Sequence, residues 1–104
     1  MKILYLNLKS CWYDLIEQGI KKEEYREMKP YWVRRLCGNT YQHNETGEWV
    51  FEFKHFDAVK FTYGYTKRTM TFKIEDITTG TGKPQWGAED GEEYFVIKIG
   101  ERIN

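Results

Sequence analysis

Four runs after residue 48 alternate large apolar residues with other residue types at a period of two. They are Trp49-Phe51-Phe53, Val59-Phe61-Tyr63, Met70-Phe72-Ile74 and Phe95-Ile97-Ile99. A period of two puts such residues on one face of an extended strand, whereas a helix scatters them around its axis. The chain opens the same way, with Leu4, Leu6 and Leu8 on one side of Ile3–Leu8 and Tyr5 and Asn7 on the other. This many short strands leave many edges, and a small, strongly bent sheet or barrel is the economical way to hide them. At 104 residues the chain is long enough for one domain, spanning residues 1–104, with a real core. Aromatic residues make up 17% of it, which excludes disorder as the overall state.

Local signals divide the strands. Asn44-Glu45-Thr46-Gly47 is turn chemistry between Tyr41–His43 and Trp49–Phe53. Ile77 breaks the parity of the run before it, which predicts a bulge or bend near Glu75-Asp76. The Gly-rich stretch Thr79–Gly91, acidic at its end, reads as a loop. Two short helices precede all of this. In the first, Ser10 stands as N-cap, Cys11, Trp12, Leu15 and Ile16 form an apolar face, and Gly19 is the C′ residue. In the second, Pro30 suits the first turn, Trp32, Val33 and Leu36 are apolar, and Gly38 is the stop. Between them residues 22–27 form a charged strand, at an edge or lining a cleft. The expected class is therefore α+β: five or six strands in a small bent β-barrel, with two short flanking helices.

Sixteen Lys and Arg balance sixteen Asp and Glu, but residues 1–37 carry +3 and residues 38–104 carry −3. Zero net charge argues against coating duplex DNA by charge alone and leaves room for a local basic pocket. No apolar run reaches the roughly 20 residues of a membrane helix. No basic start with an apolar segment is present, so a cytoplasmic location is expected. Cys11 and Cys37 then read as free thiols, buried on apolar helical faces. With His43 and His55 they fit no metal-ligand spacing, so neither metal nor cofactor is expected.

The densest chemistry lies in Gly19-Ile20-Lys21-Lys22-Glu23-Glu24-Tyr25-Arg26. In a strand, Lys22, Glu24 and Arg26 share one face, and Lys21 at the turn can swing to either side. Lys21, Glu24 and Arg26 can thus meet at a cleft mouth. Arg26 offers a planar fork for a phosphate or base edge, and Lys21 offers a mobile point charge. Glu24 can hold either cation or accept a proton. Without a cleft, the same residues are a solvated edge strand whose ion pairs contribute little.

The segment resembles the Gly-x-Lys-x-x-Glu-x-Arg signature of the ASCH domain, a family of the PUA-like superfamily, with Gly19, Lys21, Glu24 and Arg26 at its four positions. The opening strand, the helix ending in Gly19, Pro30-Tyr31-Trp32 and Phe61-Thr62-Tyr63-Gly64-Tyr65 are similar too; residues 39–53 are not. The resemblance implies a PUA-like barrel whose cleft binds RNA, single-stranded by preference, or a nucleotide. It also implies alternatives, since some relatives resemble small hydrolases of modified nucleosides or single-strand ribonucleases. In a branch that deacylates modified cytidine a Thr nucleophile takes the place of Glu24, and a carboxylate cannot serve as that hydroxyl. In a ribonuclease, Glu24 would deprotonate a ribose hydroxyl while Lys21 and Arg26 stabilise the phosphate. A protein-interaction module is the reading that needs none of this chemistry.

Further ligand-binding candidates follow from residue type. Tyr5, Tyr31, Trp32, Tyr63 and Tyr65 lie near the expected cleft, and aromatic faces beside cations suit unstacked bases. Lys9 and Ser10 sit at the first strand-to-helix junction, where a helix N-terminus can take an anion. Lys67 and Arg68 form a basic pair between strands. Glu89, Asp90, Glu92 and Glu93 would repel RNA and are expected to lie away from the cleft.

Overall fold

A computed structural model describes all residues from Met1 to Asn104. Seven strands and two α-helices follow in the order β1 (Ile3–Leu8), α1 (Ser10–Glu17), β2 (Glu23–Glu27), α2 (Pro30–Leu36), β3 (Cys37–Gln42), β4 (Trp49–Phe53), β5 (Ala58–Tyr63), β6 (Thr69–Thr81) and β7 (Glu93–Arg102). A single 3-10 turn covers Pro84–Trp86. Five strands form a curled sheet in the order β1-β5-β6-β7-β2, and β3 and β4 form a separate hairpin. The β1–β5 pair is parallel and the other pairs are antiparallel. This is an α+β half-barrel. No helix is long and apolar enough to cross a membrane.

The curl comes from β6. Its first residues pair with β5, and the rest pair with β7. Between these halves the register slips twice, around Phe72, Ile74 and Asp76. The parity break at Ile77 is the trace of the second slip, where two steps from Ile74 to Asp76 face one step from Ile99 to Lys98, and the one extra residue turns the following side chains of β6 to the opposite face. The alternating residues then meet inside. Leu4, Leu6, Leu8, Phe61, Met70 and Phe95 are all buried in one core, which Tyr13 and Ile16 of α1 cover. The hairpin joins it through Phe51 and Phe53, both edge-on to Phe95 at 5.1 and 5.8 Å.

Several expectations need correction. Lys9, not Ser10, is the N-cap of α1, and no side chain caps that end. The buried face of α1 is Tyr13 and Ile16, so Cys11 is exposed. An eight-residue helix is too short for its apolar pattern to fix the rotation, and the core selects Tyr13 for its area. Helix α2 ends at Leu36 before Gly38 is reached, and Cys37, buried as expected, already belongs to β3. The stretch from Thr79 to Thr81 is strand rather than loop, because Thr79, Gly80 and Thr81 pair with Phe95, Tyr94 and Glu93. Gly19 does close α1, with φ of +77°. The amides of Gly19 and Ile20 donate to the carbonyls of Ile16 and Leu15, each at 3.0 Å. This reciprocal closure satisfies two end carbonyls and requires the left-handed backbone that Gly provides.

Candidate functional site

The closure at Gly19 sets the position of Lys21. Its own amide also donates to Leu15 at 3.1 Å, so the chain leaves the helix in one direction. Lys21 is only 2% exposed. Its Nζ donates to Glu24 Oε1 at 2.8 Å and to the Trp86 carbonyl at 2.9 Å, with the Trp12 ring centroid 4.5 Å away. It is therefore a fixed buried cation, not the mobile one that a turn position implies. Glu24, on the inward face of edge strand β2, is also buried. Its second oxygen, Oε2, accepts from Arg26 Nη2 at 2.6 Å. Arg26 Nη2 also donates to the Asn7 carbonyl at 3.1 Å, and its guanidinium carbon lies 4.9 Å from the centre of the Trp32 ring. Both hydrogen bonds of Arg26 run through Nη2, and Nε is buried without a partner.

One ion-paired chain, Lys21–Glu24–Arg26, thus crosses from helix to strand. Arg26 also ties β2 to β1, the two free edges of the curled sheet. Above the chain opens a cavity of about 640 Å³. Trp12, Trp86, Tyr25 and Tyr94 contribute aromatic surface to its lining. That size falls within the range of roughly 300–1,000 Å³ usual for small-molecule sites.

The segment after β6 builds one side of the cavity. Tyr25 Oη accepts from the Lys83 amide at 2.9 Å and donates to Glu23 Oε1 at 2.8 Å. A Cβ at Gly82 would lie 2.7 Å from the Tyr25 ring, so this close approach needs glycine. The Glu89 amide donates to Tyr94 Oη at 3.0 Å. The segment therefore folds back over β2 and brings Glu89, Glu92 and Glu93 into the lining. The expectation that the acidic cluster stands away from the cleft is wrong. Asp90 alone of the four is absent from the lining.

Burial pushes the Tyr25 hydroxyl up to about 12, and donation to Glu23 adds to this, while the Lys83 amide pulls the other way. The neutral phenol is thus favoured in the folded state. Its stabilisation is complete below the unfolded value of about 10 and is lost as pH rises through about 12. The stability gap between the parent protein and Tyr25→Phe should accordingly close across that window in urea titrations. A gap that stays constant would contradict the assignment.

Of the other expected ligand residues, Lys9 lines the cavity and Ser10 does not. Tyr31 lies outside it on α2, and Lys22, which is not one of these candidates, is exposed one residue before β2. Tyr63 packs edge-on against Tyr13 at 5.0 Å, and Arg68 stacks over both. Arg68 pairs with Glu17 at 2.8 Å, so this corner is an internal contact. Tyr65 is wholly exposed and away from the cavity. Residue type alone overlooked Trp86, Tyr94 and the role of Trp12 in the lining. Trp86 binds Lys21 through its backbone carbonyl, which leaves no mark in the side-chain pattern. No family model, curated protein or solved structure matches the chain.

Proposed function

We propose that this chain is an ASCH-type domain of PUA-like fold that binds RNA or a nucleotide-like ligand in the cavity above Lys21, Glu24 and Arg26. The observation that carries the reading is the convergence of these three signature residues beneath a cavity of nucleoside size with aromatic walls. Gly19, the fourth signature position, supplies the backbone turn that places Lys21. Lys21 is committed to Glu24 and Trp86, so its role is to hold the site's shape. Arg26, with Nη1 uncommitted, is the cation available to a base edge or a phosphate. Glu89, Glu92 and Glu93 repel phosphate from their side. The base therefore enters between the aromatic rings, and the phosphate stays at the mouth.

Cleavage is the weaker reading. Both oxygens of Glu24 are held by cations, so accepting a proton from a ribose hydroxyl requires one ion pair to break.

Titration of the four ribonucleosides and their monophosphates, followed by tryptophan fluorescence, tests the binding reading, because Trp12 and Trp86 line the cavity. At least one base should give a saturable change, with the nucleoside binding no more weakly than its monophosphate. Arg26→Ala should weaken that binding about tenfold or more, as expected for loss of a charged hydrogen bond. Absence of a saturable change with every base would overturn the reading.

A further inference from the structure

Outside the cavity, a stacked array runs along α2, from Tyr31 and Trp32 in its first turn to Arg35 in its last. The Arg35 guanidinium carbon lies 5.9 Å from the centre of the Tyr31 ring and 5.3 Å from that of Trp32. The opposite neighbour of Trp32 in this array is Arg26, at 4.9 Å. Tyr31, Arg35, Trp32 and Arg26 thus form a continuous series from solvent to the cavity, each step under 6 Å. Arg35 has no carboxylate partner, and its Nη2 donates to the Tyr5 carbonyl at 2.8 Å. Arg34 beside it is exposed, and α2 contains no acidic residue. Tyr31 is 53% exposed and Tyr5 is 59% exposed, so core packing does not account for either ring.

We propose that this array is a stacking platform for a single-stranded nucleic acid, continuing outward from the base held in the cavity. The proposal rests on the cavity reading for the strand's starting point. An exposed aromatic ring beside a guanidinium plane offers two surfaces on which unpaired bases stack. Arg35 adds an un-neutralised positive charge for the phosphate between them. Because Tyr5, Tyr31 and Trp32 already hold it in place, little rotamer entropy is lost on binding. Glu89, Glu92 and Glu93 line the cavity, whereas Tyr31 and Arg35 of the platform do not. A strand leaving the cavity toward α2 therefore moves from mixed charge to positive charge.

The test compares ribonucleosides, read by tryptophan fluorescence, with a labelled mixed-sequence RNA tetranucleotide, read by anisotropy. The tetranucleotide should bind more tightly than any nucleoside. Tyr31→Ala should weaken the tetranucleotide about tenfold, the scale of one lost base stack, and leave nucleoside binding unchanged. Tyr31→Phe should keep most of the binding, since stacking needs the ring and the hydroxyl adds only one long contact, accepting from Arg35 Nη1 at 3.5 Å. Arg35→Ala should reduce the salt slope of tetranucleotide binding by about 0.7, the value for one phosphate contact on a single strand. A tetranucleotide that binds no better than a nucleoside, or is indifferent to Tyr31→Ala, overturns the platform and leaves the cavity reading standing. Tyr31-dependent tetranucleotide binding without nucleoside binding supports the platform and overturns the cavity reading. Failure of every probe overturns both.

Discussion

Glu24→Ala should lower the unfolding free energy by about 3–5 kcal/mol, the cost of breaking a buried ion pair from one side. The size follows from what is left behind. Lys21, 2% exposed, would keep only the Trp86 carbonyl and the face of Trp12. Arg26 would lose its 2.6 Å partner and keep the Asn7 carbonyl. Lys21→Met should cost clearly less, because Glu24 then remains paired with Arg26 and the new side chain suits the aromatic surroundings. Glu24→Gln should fall between them. It keeps the shape and can still accept from Lys21, but it presents an amide donor to Arg26, itself a donor. Urea unfolding with an unchanged m-value would measure the order. A Glu24→Ala variant within about 1 kcal/mol of the parent would show that water already screens the pair, as it does exposed ones.

Phe95→Ala should cost a similar amount, about 3–5 kcal/mol, for a different reason. Phe95 is fully buried on β7 and receives the edges of Phe51 and Phe53. Truncation leaves a cavity in the sheet core and removes the anchor of the β3–β4 hairpin at the same time. Hydrogen exchange should therefore quicken in Trp49–Phe53 beyond what the global loss of stability explains. Uniform quickening across the chain would show that the hairpin holds through other contacts, such as the Lys54 amide bonded to the Leu36 carbonyl at 2.8 Å.

These two residues also mark what was legible in the sequence. Phe95, Ile97 and Ile99 announce a strand with one buried face, and β7 is that strand. The bend near Glu75-Asp76 was legible because a register slip inverts parity, and Ile77 carries that inversion. The grouping of Lys21, Glu24 and Arg26 was legible because all three flank one helix stop and one edge strand. What stayed hidden depends on distant contacts. Lys21 meets the carbonyl of Trp86, 65 residues away, and nothing in the loop's composition signals it. The same folding-back over Tyr25 carries Glu89, Glu92 and Glu93 into the cavity wall, against the expectation that acidic residues avoid a nucleic-acid cleft. The end of β6 was misjudged for a related reason. Thr79-Gly80-Thr81 has the composition of a loop, and only the ladder with β7 makes it a strand.

The central claim is that the cavity over the Lys21–Glu24–Arg26 chain receives a nucleobase. The most direct measurement is a two-dimensional amide and indole NMR titration of the full chain with each of the four ribonucleosides. For at least one base, the indole signals of Trp12 and Trp86 and the amides of Lys21 to Arg26 should move together and saturate, while the hairpin of β3 and β4 stays still. Spectra that do not change with any of the four, or changes confined to the hairpin, would contradict the claim.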